Sequence, residues 1–520
     1  MNLPGLTVLN VFMAASPIFV VLYLMIGRNW GGSKAGSVGW LTAVLVSLFF
    51  FGTNLQLLLV STGRALLLAL YVLYIIWMAL LLYHTVNDAG AITVIGQQVP
   101  RLAHDKPAQA LLLAWVFGSF LQGATGFGVP AAIVAPLLVG LGFEANTAVT
   151  MALLGHAWAV TYGSLGSSFL SLMAATTVPG EILASPVAIM LGICCVLCGV
   201  VVLWLSGKGT AVRQRWLFLL ALALIMSVTQ WGMAQLGLWT LAAFGAGLAG
   251  LVVSIIYFTK LQNNSHDRPQ FNTRRFLQAF FPYAILIVVT ILGQIFYKTQ
   301  LSFVQFNITF PAVATSFGWV TEAGTGRSLN LFGHAGALLL YTTILAFLWF
   351  KWRGPIHFAE KGGTYNGRAI IQKTRQGSQK PTIAIFTLVA MAVTMTHAGM
   401  TQLLAQALSA VSGPIYPFIS PFIGALGALM TGSNTNSNVV FGGLQETTAV
   451  ALAVSVPLIL ATQTAGGAIG STFAPAKVIV GCSTVSGADN GKTLRLATIY
   501  GVSILIMLGL ITTLLLWLLS

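Results

Sequence analysis

The sequence predicts an all-α polytopic integral membrane protein: roughly 12 to 14 transmembrane helices in two related halves, each with a broken or re-entrant segment. Three observations lead there. The chain is 57% hydrophobic and only 6% charged, with a mean hydropathy of +0.89, far above a soluble domain. Its apolar residues fall in successive runs of about 20, the length that crosses a bilayer as helix. Two of the runs are interrupted by glycines and hydroxyl residues, and broken backbone at membrane depth is tolerated only where protein buries it or a hydrated cavity solvates it.

The spans lie near 6–27, 38–60, 65–84, 107–121, 146–170, 183–206, 216–236, 238–258, 276–297, 331–350, 381–398, 447–463 and 496–519. Shorter, glycine-broken runs occupy 126–143, 415–431 and 465–485. The first span has neither a basic region before it nor a small-residue cleavage site, so it reads as a retained helix. Most basic residues sit in loops: Arg28 and Lys34; Arg101 and Lys106; Lys208, Arg213 and Arg215; Lys260, Arg268, Arg274 and Arg275; and a set from Lys351 to Lys380. The net charge of +15 therefore reflects the positive-inside bias and not a nucleic-acid site. These loops are expected in the cytoplasm and the N-terminus outside. The halves are expected at 1–350 and 381–520, with broken motifs at about 107–170 and 415–488, joined by a flexible basic linker, 351–380. Cys194, Cys195 and Cys198 share one apolar span and Cys482 lies alone. Without a second CxxC pair they read as packing residues, not metal ligands.

The first broken motif is Phe120-Leu121-Gln122-Gly123-Ala124-Thr125-Gly126-Phe127-Gly128-Val129-Pro130, in which three glycines and a proline should stop a helix. Its counterpart is Thr431-Gly432-Ser433-Asn434-Thr435-Asn436-Ser437-Asn438. The sequence downstream corresponds as well: Asn146-Thr147-Ala148-Val149 precedes Thr161-Tyr162-Gly163, and Thr447-Thr448-Ala449-Val450 precedes Thr462-Gln463-Thr464 at the same spacing. Paired interruptions of this kind mark repeat-built secondary carriers. A helix restarting inside the membrane presents free N–H groups and partial positive charge, which suit a carboxylate. Candidate substrate ligands are Gln122, Gly123, Thr125, Gly126, Gly128, Thr161 and Tyr162 from the first half. The second half offers Gly432, Ser433, Asn434, Asn436, Ser437, Asn438, Thr462 and Gln463. Close helix packing through small residues is the competing explanation for each stretch taken alone.

These motifs resemble the L-lactate permease family, as do Leu137-Leu138-Val139-Gly140-Leu141-Gly142-Phe143 and Phe473-Ala474-Pro475-Ala476-Lys477. The resemblance runs in order over most of the chain. It implies a multi-pass permease of a bacterial or archaeal plasma membrane that takes up lactate, often glycolate, by proton symport. The chain departs from the family pattern at Gln122, where a Glu is common, and at Asn434, where an Asp is common. An Asn-Thr pair common in the first half is replaced near His156-Ala157-Trp158.

Proton coupling requires a titratable group in the path. His156, inside an apolar helix beside Trp158, Thr161 and Tyr162, is the first candidate; a hydrogen-bonded core histidine is the alternative. Glu322, with Arg327 as its partner, is the second, as a clamp, a gate or an external salt bridge. His334 and His397, near span ends, read as interfacial. Asp88, Asp105, Asp267 and Glu360 lie in or beside loops and read as solvated, and Glu446 reads as a helix-start residue. No cofactor is expected: the sequence contains neither GxxxxGK[ST] nor HExxH, so an ion gradient should drive transport. The expected partners are a small carboxylate, a proton or sodium ion, and membrane lipid, with homo-oligomerisation open. A sodium-coupled carrier of another organic anion is the competing reading, and a membrane-embedded enzyme or channel the competing class.

Overall fold

Apolar runs in hydrocarbon must satisfy their backbone internally, and this chain does so almost wholly as helix. A computed structural model describes residues 3–28, 30–103, 105–126, 128–261, 272–356 and 365–519; the expectations for Phe127, Asp267, Arg268, Glu360 and the middle of the 351–380 linker fall outside these. The N-terminal helices are α1 (Val8–Leu22), α2 (Gly32–Phe50), α3 (Leu55–Asp88) and α4 (Ala91–Gln98). Then come α5 (Lys106–Ala110), α6 (Gly118–Ala124), α7 (Val129–Gly140), α8 (Ala145–Gly155) and α9 (Gly163–Ala175). A π-helical segment, Leu111–Phe117, joins α5 to α6 as one rod. Further on are α10 (Gly180–Gln235), α11 (Ala242–Leu261), α12 (Thr273–Ile291), α13 (Ala335–Arg353) and α14 (Gly367–His397). The last are α15 (Met400–Ser412), α16 (Tyr416–Thr431), α17 (Asn434–Ala451), α18 (Val456–Gly470), α19 (Pro475–Ser483) and α20 (Asn490–Leu519). Among the described residues ten helices are long and apolar enough to cross a membrane. One of them, α10, folds back at Gly207 and Lys208, where Lys208 has φ 54°. Its two arms pack antiparallel, with Trp231 Nε1 3.0 Å from Ser185 Oγ.

The molecule has two distinct faces. One gathers the basic loops, where Lys373 pairs with Asp88 at 2.7 Å and Arg215 pairs with Asp105. The other carries an antiparallel β-hairpin. Its ladders pair β1 (Gln305–Phe306) with β6 (Leu329–Asn330), β2 (Thr309–Phe310) with β5 (Gly324–Thr325), and β3 (Val313–Ala314) with β4 (Val320–Thr321). The hairpin lies over the α2–α3 connection: Ser316 N–H donates to Gly52 O at 2.8 Å and Asn54 Nδ2 to Ala314 O at 3.2 Å. The sequence reading gave this segment no strand, because two-residue strands are too short to display alternation.

The two broken motifs form helical hairpins that enter from opposite faces. In the first, α5–α6 and α7 have their outer ends at the basic face, where Lys106 Nζ donates to Gly142 O at 3.1 Å. In the second, α16 and α17 have theirs at the β-hairpin face, where Tyr416 OH meets Gln445 Oε1. Each is followed by a helix that crosses in two pieces, α8–α9 and α18–α19. The two hairpins are thus inserted in opposite senses, a relation the two motifs alone do not specify.

Four expectations need correction. The 107–121 run is one arm of a hairpin and does not cross. The 146–170 span breaks at His156–Tyr162, followed by Ser164 and Leu165 at φ 48° and 56°. The 447–463 span is cut by a turn with Ala453 at φ 53°, and Pro457, in the first turn of α18, was the overlooked signal. The described residues of the 351–380 stretch are largely helix, ending α13 at Arg353 and beginning α14 at Gly367, so its basic residues there extend two crossing helices.

Candidate functional site

The second broken motif is built around a single left-handed residue. Gly432, at φ 68°, ends α16, and Ser433 caps α17 by accepting from the Asn436 N–H at 3.4 Å. The backbone therefore turns in a few atoms, and the first turn of α17 points its free N–H groups out of the tip. From that tip the side chains of α17 reach the other broken helices. Asn434 Nδ2 donates to Thr161 Oγ1 at 3.1 Å and Thr464 Oγ1 at 3.2 Å. Asn438 Nδ2 donates to Thr464 Oγ1 at 2.8 Å and Ser168 O at 2.9 Å. Ser168 and Thr435 hydroxyls lie 3.0 Å apart, and those of Thr161 and Thr464 3.1 Å apart. All six residues are buried. They form a polar lock at the crossing of α9, α17 and α18. Two of its acceptors, Asn434 Oδ1 and Asn438 Oδ1, have no hydrogen-bond partner.

On the basic side of this lock lies a cavity of about 390 Å³, lined by Thr431, Ser433, Thr435, Asn436, Lys477 and Lys380 among others. Lys477 begins α19 and its Nζ donates to Ser471 Oγ at 2.8 Å. No carboxylate pairs with it among the described residues, whose two ion pairs lie elsewhere. An ammonium, a helix N-terminus and small polar side chains thus converge on one space, a donor-rich set suited to an anion. In the sequence Lys477 stands only as the last residue of the Phe473-Ala474-Pro475-Ala476-Lys477 motif. A lone charge in an otherwise apolar run was the signal that could have found it. Thr464 and Ser168 gave no local signal, because their role depends on partners 26 to 303 residues away along the chain.

The first motif stands one layer behind. A Cβ on Gly126 would collide with Ser164 Oγ, and one on Gly123 with the Phe244 backbone. Gln122 packs against Gly163, with its Oε1 buried and without a partner, and Thr125 Oγ1 bonds its own Leu121 carbonyl at 2.7 Å. Gly128, at φ 85°, starts α7 near Val480. Tyr162 OH turns to Ala184 O at 3.0 Å, and Thr462 Oγ1 to Thr512 at 3.0 Å. Gln463 Nε2 braces Ser437 Oγ at 3.1 Å, and Ser437 Oγ donates to Gly424 O at 2.6 Å. The structure therefore gathers Thr161, Gly432, Ser433, Asn434, Asn436 and Asn438 about the lock and cavity; the other candidates pack around them.

His156 is 1% exposed. Its Nδ1 lies 2.6 Å from Ala152 O, a carbonyl that can only accept, so the proton sits on Nδ1. Nε2 is left bare and unpartnered. The Glu322–Arg327 pair does not form. Glu322 is exposed, its carbonyl takes Arg64 Nη2 at 3.0 Å, and Arg327 lies over the Tyr71 ring at 4.4 Å. His334 caps the start of α13 and His397 ends α14, both at span ends, and each is only 6% exposed. Asp88 and Asp105 are not merely solvated: both are paired, and Asp105 also caps α5. Glu446 lies late in α17, not at a helix start, and its carboxylate accepts from the Thr177 N–H and hydroxyl.

A family model described as L-lactate permease matches residues 10–519. The L-lactate permease of Bacillus subtilis is 25% identical over 98% of this chain and 96% of its own. The glycolate permease GlcA of Escherichia coli is 24% identical, covering 91% and 90%. Among solved structures, the YdaH transporter of Alcanivorax borkumensis is similar at a TM-score of 0.46 and 15% identity, covering 88% of this chain and 87% of its own.

Proposed function

The chain belongs to the L-lactate permease family, and from that membership we propose that it takes up L-lactate, glycolate or a related small 2-hydroxymonocarboxylate across the plasma membrane by proton symport. The observation that carries the reading is the cavity at the tip of α17, where Lys477 and the helix N-terminus offer positive charge without a counter-ion among the described residues. The carboxylate would sit between them, and Ser433 and Asn436 would bond the 2-hydroxyl. By the positive-inside rule the basic-loop side is read as cytoplasmic and the N-terminus as outside; on that reading the conformation described is inward-facing. Outward access would require the Thr161–Asn434–Asn438–Thr464 lock to part, which two oppositely inserted hairpins permit by moving against each other. On this reading residues 1–350 and 381–520 carry one repeat unit each, and His156 Nε2 is a candidate proton acceptor near Lys477.

Uptake of labelled lactate into proteoliposomes under an inward proton gradient tests the assignment. Lys477→Met is expected to lower uptake by at least about tenfold, because a charge-assisted contact to the substrate is lost. Wild-type uptake no faster than that of empty liposomes would sink the substrate assignment. A competition panel of lactate, glycolate, pyruvate and acetate then asks whether the hydroxyl is read. One observation favours a second reading, sodium coupling: the unpartnered Asn434 Oδ1 and Asn438 Oδ1 are neutral oxygen donors of the kind a hard cation takes. Accumulation driven by a sodium gradient at equal pH would decide for it.

A further inference from the structure

A second cavity, of about 130 Å³, lies on the opposite side of the polar lock, at the β-hairpin face. Thr396, His397, Thr401, Val439 and Gly443 contribute to its lining. We infer that it is the outward reception site for the carboxylate, and that His397 takes up the proton that travels with it. The inference rests on the reading of the chain as a carboxylate carrier and adds where anion and proton first meet.

The argument starts from one ring. His397 ends α14, and its Nδ1 lies 2.8 Å from Val393 O. A carbonyl cannot donate, so Nδ1 carries the proton and Nε2 holds a lone pair. That Nε2 is buried and has no partner. A neutral imidazole presents lone pair to lone pair and repels a carboxylate; once protonated, Nε2–H donates to it with opposite charge. Proton and anion therefore favour each other's binding at this ring, and the coupling is reciprocal. The Thr396 O–H is given to Ala392 O at 3.0 Å, but Thr401, whose hydroxyl lies 3.2 Å from that of Thr396, can turn its O–H to a substrate oxygen.

The position fits a path. Val439 and Gly443 of α17 line this cavity, while Thr435 and Asn436 of the same helix line the Lys477 cavity. Asn438 and its bonds to Thr464 and Ser168 lie between them. A carboxylate moving along α17 would exchange an imidazolium for an ammonium once the lock parts. The β-hairpin touches the same histidine, with Thr321 Oγ1 3.5 Å from His397 O. The elements packed around the cavity bring few charges. Arg64 of α3 bears electrostatically on the imidazole. Glu322 of the β-hairpin is exposed, and Glu446 of α17 is held by Thr177. The helices α1, α9 and α15 carry none, and the cations of α14 all lie from Lys380 back towards its start.

The test is the external pH profile of lactate half-saturation in proteoliposomes. In the wild type, half-saturation should rise by up to roughly tenfold per pH unit above the pKa of the ring. His397→Gln should hold the alkaline wild-type value at every pH. A wild-type profile in His397→Gln would overturn the inference while leaving the carrier assignment standing; absence of lactate transport in the wild type would remove both. Should His397→Gln transport nothing, Thr401→Val decides, since it keeps the ring: raised half-saturation with the pH profile intact supports the site, and unchanged half-saturation overturns it.

Discussion

At the scale of single residues, the lock is defined by glycines as much as by its polar groups. Gly467 on α18 faces Asn434, and a Cβ there would collide with Asn434 Oδ1, the acceptor that has no partner. Gly467→Ala must therefore push Asn434 away from Thr161 and Thr464. Lactate uptake is expected to fall by at least about tenfold, the scale on which a misplaced binding group reduces activity. Gly140→Ala, where nothing lies within 4 Å, should transport as the wild type does, and the pair is compared in proteoliposomes with membrane insertion checked for both. Normal uptake by Gly467→Ala would mean that Asn434 is not part of the path. The same contacts revise the meaning of Gly126. Its small size serves packing against Ser164, so a bulky residue there would fail by clash and not by blocking an anion.

At the scale of elements, each half-helix needs a start and a stop in a solvent that forgives neither. The start of α8 is secured by Glu144, whose carboxylate accepts the Asn146 N–H at 3.1 Å and the Thr147 N–H at 2.7 Å. Partial burial pushes its pKa up, but these bonds and those from the two side chains outweigh it and hold the carboxyl below its ordinary value. A carboxylate with a depressed folded pKa stabilises above its unfolded pKa and loses that contribution as pH falls through the folded one. Glu144→Ala should thus cost on the order of 1 kcal/mol at neutral pH, as for other caps. In detergent its thermal midpoint should fall below the wild type at neutral pH and meet it in acid; a difference independent of pH would contradict the carboxylate's role. Elements also differ in how legible they were. The interruptions at Gly126 and Gly432 stood out because glycine within an apolar run has few other uses. The turn at Ala453 and the break at His156–Tyr162 did not, because alanine and tryptophan look helical until their neighbours are known.

At the scale of the whole molecule, two cavities lie on opposite sides of one buried lock, the larger of the two towards the basic loops. Ala476 lines the Lys477 cavity and is exposed, while the four native cysteines are buried. Ala476→Cys should react with a membrane-impermeant thiol reagent added from the cytoplasmic side only, and lactate should slow the reaction; labelling from the outside alone would reverse the assigned orientation. The sequence by itself determined the membrane class, the two interrupted motifs and the grouping of basic loops, because each follows from local hydropathy, glycine and charge. Tertiary structure alone decided that the hairpins enter from opposite faces, that Gln122 and Tyr162 pack behind the site, and that Lys477 and His397 face cavities. The reason is physical: within the membrane a polar side chain is placed by whichever partner satisfies it. For Asn434 those partners are Thr161 and Thr464, 273 and 30 residues away along the chain.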